Sequence, residues 1–266
     1  MMVNVLFQVF GILLCTSCLV EGVSYADEVR NLFERHFTNK DNECWSTTGA
    51  DENTNDKGMA IALVNVYTQN CINYNNNPDN RQFYWQLNAK LRDQTNEQIW
   101  RDTEKLLNKA LEMLGAKTWD LVFRASHCTD IKKGYILKNY DFWSTSLNAS
   151  ASANFLDENK IFFKIVTSPG GTEISEYSNF TDEKEVLLQS NSELYVQEYI
   201  TDEQGIDAKK KKVGLPKSKK MKAFAVVTGN IPARASRSGL RSGFCGIVRG
   251  STADASPSKS GCCTIL

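Results

Sequence analysis

The periodicity of the chain changes at Gly115, and no other feature narrows its fold so far. Before that point apolar residues recur at helical spacing: Val29, Leu32, Phe33, His36 and Phe37 follow Ser24, a residue suited to capping a helix. Further helices are expected over 59–67, 83–91 and 100–114, the last ended by Gly115 as its C-cap. The Asn-rich stretch 70–80, with Pro78, reads as a loop. Beyond Gly115 the pattern shifts to short β-rich runs, expected as strands over 119–124, 135–137, 161–167, 173–177, 185–188, 194–200 and 222–228. Helices first and strands afterwards predict an α+β fold, a helical N-terminal half packed on a strand-rich C-terminal half, and not the alternating units of a doubly wound sheet. No GxGxxG follows a strand and no GxxxxGK[ST] occurs, so a nucleotide bound here is not held by a Rossmann crevice or a P-loop.

Charge and cysteine usage divide the chain further. An apolar run from Val5 to Val20 without Lys or Arg, followed by Gly22, has the form of a signal peptide over 1–22 and is too short to span a membrane comfortably. Residues 25–208 hold 18 Lys and Arg against 29 Asp and Glu, whereas 209–266 hold 13 against one. The expected organisation is therefore a signal peptide, a domain over 23–208 and a basic extension over 209–266 that carries one further strand. A lysine run is usually a solvated segment; membrane contact of this tail is the functional alternative, and nucleic acid is not expected because no aromatic residues interleave with the lysines. Of eight cysteines, Cys44, Cys71, Cys128 and Cys245 lie in the body with no metal-ligand spacing, which favours two disulfides, in any of three pairings, over a metal site. Sequons at Asn148 and Asn179 agree with a secreted, extracellular protein.

Three segments of the strand-rich half place polar residues where aliphatic ones would be ordinary. Arg124 ends the run Thr118-Trp-Asp-Leu-Val-Phe-Arg-Ala125; hydroxyls follow an aromatic pair in Tyr140-Asp-Phe-Trp-Ser-Thr-Ser-Leu147; and Glu183 and Glu185 stand two apart in Asp182-Glu-Lys-Glu-Val-Leu-Leu188. If that last segment is a strand, both carboxylates share one face and Lys184 points away. Each feature alone has a plain structural explanation: a core ion pair, a polar strand end, a solvated edge. His36 and His127 have no ligand set beside them and read as structural, and Trp143 reads as core packing.

Together and in this order, the three segments resemble the R-S-E signature of the arginine-specific mono-ADP-ribosyltransferases, the clan of vertebrate ecto-enzymes and cholera-type toxins. Gly58-Met-Ala-Ile-Ala-Leu-Val64 and Leu87-Asn-Ala-Lys-Leu-Arg92 are similar to that family's helical half, and Ile174-Ser-Glu-Tyr-Ser178 to one of its strands, so the likeness runs roughly from Ser24 to Ile200. The resemblance implies transfer of ADP-ribose from NAD, consumed as co-substrate without a metal, to a protein with an exposed arginine. It implies that Arg124 holds the NAD phosphates and ribose through its fork of donors. Ser144 would position the ribose and Glu185, and Phe155 would cover nicotinamide from a loop over 151–159. Glu185 would stabilise positive charge developing on the ribose, and Glu183 would receive and deprotonate the acceptor guanidinium. Residues 178–182 would form the loop that meets the target.

The sequence departs from that family in several places. Ala125 replaces a common Gly after the arginine, and the cysteine usual five residues before it is Trp119, with no partner in 165–167. With that bridge gone, Cys44 or Cys71 is expected to pair with Cys245 or Cys128. A glycan on Asn179 would stand on the acceptor loop. The terminal Cys263-Thr-Ile-Leu266 has the form of a prenylation signal, an alternative address at a membrane that conflicts with secretion. Two rival functions are weighed: an NAD glycohydrolase using water as acceptor, disfavoured by Glu183, and a catalytically silent binding module, disfavoured by the intact triad.

Overall fold

A computed structural model describes residues 23–37, 43–69, 71–75, 77, 80–178, 181–233 and 242–245. The expected signal peptide, the Asn179 sequon and the terminal Cys262 and Cys263 lie outside the described residues. Helices α1 (Tyr25–His36), α2 (Glu43–Ser46), α3 (Asp56–Thr68), α4 (Phe83–Arg92) and α5 (Gln98–Met113) come first. Strands β1 (Leu121–Ser126), β2 (Cys128–Thr129), β3 (Ile136–Asn139) and β4 (Trp143–Ser146) follow, then the short helix α6 (Ala149–Ala153). The remainder comprises β5 (Ile161–Val166), β6 (Gly171–Glu173), β7 (Glu185–Leu188), β8 (Ser192–Ile200), helix α7 (Glu203–Lys212), β9 (Ala223–Thr228) and β10 (Ser242–Cys245). The fold is the expected mixed α+β arrangement, with helices packed against a curled, strand-rich half.

The helix ends follow from local chemistry. The Ser24 Oγ accepts from the Asp27 N–H at 3.1 Å, and the Asn55 Oδ1 accepts from the Gly58 N–H at 2.9 Å, each satisfying a donor that the first turn leaves unpaired. Gly115, at φ +94°, ends α5: its N–H bonds to the Glu112 carbonyl and the Ala116 N–H to that of Leu111, the paired closure that a left-handed residue makes available. Lys117 then joins Gly171 by reciprocal backbone bonds, and the chain enters the sheet.

The strand order is β2-β10-β3-β8-β9-β5-β1-β4-β7-β6. β9 pairs on one side with β8 and on the other, in parallel, with β5, so the strand expected at 222–228 lies inside the same sheet as the strands before it. One core fills the space among the helices and closes on Phe142, Ile174 and Leu187. In it His36 is buried, its Nε2 2.9 Å from the Thr103 Oγ1, and burial pushes its pKa down to about 3, so the ring stays neutral. A second core lies around Trp143, Phe163 and Val186, and a third, around Phe123, Phe162 and Phe224, lies under α6 and α7.

Three expectations are corrected. The strand expected over 173–177 ends at Glu173, and Ser175–Tyr177 is a 3₁₀ turn. The Tyr177 carbonyl accepts from the Asn65 Nδ2 of α3, and this contact with the helical half bends the chain off the sheet. Cys44 pairs with Cys71, not with Cys128 or Cys245, since α2 and the end of α3 bring their Cα atoms to 5.4 Å. Cys128 is also disulfide-bonded, and it stands opposite Cys245 in the β2–β10 register. Finally, α7 forms where only a basic extension was expected to begin: Asp202 caps it through the Gly205 N–H at 2.7 Å, and Ile206 anchors it to the third core.

Candidate active site

Arg124 sits near the end of β1, opposite Phe163 of β5, and is 3% exposed. Its Nη1 donates to the Ser144 carbonyl at 2.6 Å, and its guanidinium carbon lies 5.0 Å from the Trp143 ring centroid. Trp143 is the expected core residue, packed on Phe163, and also a wall for the arginine. Burial lowers the Arg124 pKa to about 10, against which Asp141 is the strongest opposing charge; the group remains a cation at neutral pH.

The β4–β7 register places the remaining members. Ser144 pairs with Leu187 and Ser146 with Glu185, so Ser144, Ser146 and Glu185 share one face, while Trp143, Val186 and Leu188 join the second core from the other. Glu185 is fully buried, and neither carboxylate oxygen is in hydrogen-bond geometry with a described residue. Burial raises its pKa to about 7. The Ser144 hydroxyl, beside it but outside hydrogen-bond geometry, opposes that rise; Glu183 adds to it, and Arg124 also opposes it.

Glu183 is not on the strand. It ends a 3₁₀ turn, Thr181–Glu183, and Lys184 adopts a left-handed φ of +45° before β7 begins at Glu185. The two glutamates are neighbours through a tight turn and not through strand alternation, although Lys184 is exposed as expected. The turn is tied to β4: the Ser146 Oγ donates to the Glu183 carbonyl at 2.6 Å, and the Leu147 N–H donates to that of Lys184. Glu183 is half-buried, burial raises its pKa, and its Oε2 is buried without a hydrogen bond among the described residues.

Arg124, Ser144, Glu183 and Glu185 therefore come together. Phe155 stands apart from them by its described contacts: it lies half-buried in the turn after α6, its carbonyl accepting from the Lys160 Nζ, while α6 is pinned to β1 by the Ser152 Oγ on the Phe123 carbonyl.

Four further residues reach this place without having been singled out in the sequence. Arg92, at the end of α4, makes a 2.6 Å ion pair with Asp141, the two side chains being 12% and 2% exposed. One turn earlier on α4, the Asn88 Oδ1 accepts from the Phe142 N–H and its Nδ2 donates to the Tyr67 hydroxyl of α3. The available signal was polar residues four apart on a helix that also buries Leu87 and Leu91. A cleft of about 350 Å³, lined in part by Phe33, Phe37 and Trp45, lies in the helical half and shares no lining residue with this cluster. Among the described residues, no group of three or more His, Cys, Asp or Glu is placed to hold a metal.

Comparison with known proteins yields one family and one fold. Residues 34–222 match the family model described as NAD:arginine ADP-ribosyltransferase. Exoenzyme S from Pseudomonas aeruginosa, solved with human 14-3-3 protein beta and carba-NAD, is similar at a TM-score of 0.51 and 17% identity, over 77% of this chain and 88% of that one. The ADP-ribosyltransferase HopU1 of Pseudomonas syringae gives 0.47 and 18% over 75% and 86%, and the Clostridium limosum C3 exoenzyme 0.44 and 16% over 76% and 93%. No curated protein matches in sequence.

Proposed function

The chain belongs to the NAD:arginine ADP-ribosyltransferase family, and on that premise we propose that it transfers ADP-ribose from NAD to an arginine of a protein, releasing nicotinamide, with Arg124, Ser144, Glu183 and Glu185 as its site. The observation that carries this reading is a fully buried Glu185 with both oxygens unbonded among the described residues, beside a buried arginine and a serine. A carboxylate left in that state is costly unless a partner arrives, and the electron-poor ribose of NAD is such a partner.

NAD supplies the ribosyl group and its leaving nicotinamide; the chain supplies orientation and charge. Arg124 presents its fork of donors to the phosphates and ribose. Ser144 orients the ribose and Glu185 from the same strand face. Glu185 stabilises positive charge as it develops on the sugar. Glu183, on its turn, holds the incoming guanidinium, which is protonated below a pKa of about 12, and takes its proton. A half-buried carboxylate of raised pKa suits that second task better than a solvated one.

The test is one incubation of the purified chain with labelled NAD and agmatine, separating ADP-ribosyl-agmatine from free ADP-ribose. Transfer is expected to predominate. Free ADP-ribose alone makes the chain a glycohydrolase, and intact NAD makes it a silent member of its family.

A further inference from the structure

We propose that Asp141 is a positioning residue for this reaction: held at 2.6 Å by Arg92 of α4, it fixes the segment 141–144, whose Ser144 carbonyl receives Arg124 at 2.6 Å. The inference rests on the function proposed above.

The need for such a residue follows from the sheet. β1 runs beside β5 for six paired positions, from Leu121 to Ser126, but meets β4 at one pair only, Phe123 with Ser146. Arg124 and Ser144 thus lie where β1 and β4 have parted, and no ladder fixes one against the other. The constraint comes from the helical half. Asn88 and Arg92, four apart on α4, grip consecutive residues, the first through the Phe142 N–H and the second through the Asp141 carboxylate. On the sheet side the Asn139 Nδ2 donates to the Asp141 carbonyl at 3.0 Å. Asp141 is therefore anchored from both halves, three residues ahead of Ser144.

Charge gives Asp141 a second task. Arg124 is buried and Arg92 partly so, the two are of like charge, and each guanidinium withdrawn from water needs a counter-charge. Asp141 serves both: its Oδ2 is bonded to Arg92, and its field is the strongest one supporting the charge of Arg124. Its Oδ1 makes no hydrogen bond among the described residues. Burial raises the pKa of Asp141 and the two arginines lower it, so its carboxylate and the Arg124 guanidinium sustain each other's charge.

Asp141→Asn, Arg92→Gln and the double variant separate positioning from mere bracing. Each single change leaves a buried charge without its partner and is expected to lower the melting temperature. The double variant removes both charges of the Arg92–Asp141 pair and should regain the part of the loss that came from breaking it, Arg124 still lacking its strongest counter-charge. If Asp141 only braces the fold, the KM for NAD recovers with it, and a double variant with wild-type KM overturns the proposal. The expected result is a KM for NAD still raised on the order of tenfold, with kcat changed far less, because a binding group misplaced by about 1 Å carries a cost of this kind. Should the double variant stay unstable, NAD titration well below each transition temperature makes the same comparison, and unchanged affinity overturns the proposal. A wild-type chain that neither binds nor turns over NAD removes the functional reading and this inference together, whereas a variant matching a working wild type removes the inference alone.

Discussion

Glu185 pits stability against activity within a single residue. In the unfolded chain its carboxyl titrates near 4.5, and in the folded protein near 7. The folded state holds the proton more tightly, so this group's contribution to stability is complete below about pH 4.5 and is lost as pH rises through about 7. Glu185→Gln should therefore melt higher than wild type at pH 8, by up to about 3 kcal/mol of stability, while losing on the order of a hundredfold or more in both transfer and hydrolysis. Thermal melts and NAD turnover on one preparation check both halves, and near-wild-type turnover would refute the role given to this residue. Because the carboxylate is the working form, kcat/KM for wild type should rise with pH through about 7. Glu183→Gln should behave otherwise, cutting transfer to agmatine sharply while leaving much of the NAD hydrolysis; parallel loss of the two activities would mean the carboxylates act as a unit. Arg124, Ser144 and Glu185 were legible because strands seldom carry such groups inward, whereas Glu183 lies on a 3₁₀ turn and not on the strand face expected of it. Tyr67, Asn88, Arg92 and Asp141 were not, because a polar residue on a helix or loop looks the same in sequence whether it meets water or a buried carboxylate.

At the scale of elements, the sequence discloses what one period carries and conceals what tertiary contact decides. Strand β7 falls over the expected 185–188, and α1 behind its Ser24 cap, since each obeys a local rule. The 3₁₀ turn at Ser175–Tyr177 depends on a side chain of α3, and α7 was hidden because its four terminal lysines mask two anchoring apolar positions, Ile206 and Val213. The disulfide between Cys44 and Cys71 closes a loop of 27 residues. The paired substitution of both cysteines by serine should cost about 3 kcal/mol, read as a lower denaturant midpoint. A chain ending at Ala208 loses β9, which pairs on both edges, and should fail to yield soluble folded protein, read from the circular dichroism of the soluble fraction.

For the whole molecule, the open matter is its address, and the body cysteines bear on it. Cys44, Cys71 and Cys128 are disulfide-bonded, and the proposed secretion would place them where such bonds persist. Asn148, exposed at the start of α6, uses its Oδ1 for the cap and leaves its Nδ2 for a glycan. Intact mass of protein made in eukaryotic cells is expected to show a mature N-terminus near Val23, no prenyl group and mass added by glycosylation. A retained Met1 with a trimmed, prenylated Cys263 would instead place the chain in the cytosol at a membrane.

The left-handed turn at Lys184 has a consequence for how such a protein can change over time. Glu185 is locked into the strand register, but Glu183 hangs on a short turn that joins the sheet through Ser146 and one backbone bond. On the proposed function, the step that breaks the bond to nicotinamide would thus be written into the scaffold, and the choice of acceptor onto an appendage. Substitutions in 181–183 would then redirect the product to a new nucleophile while the bond-breaking apparatus is inherited intact, so that targets could diverge before chemistry.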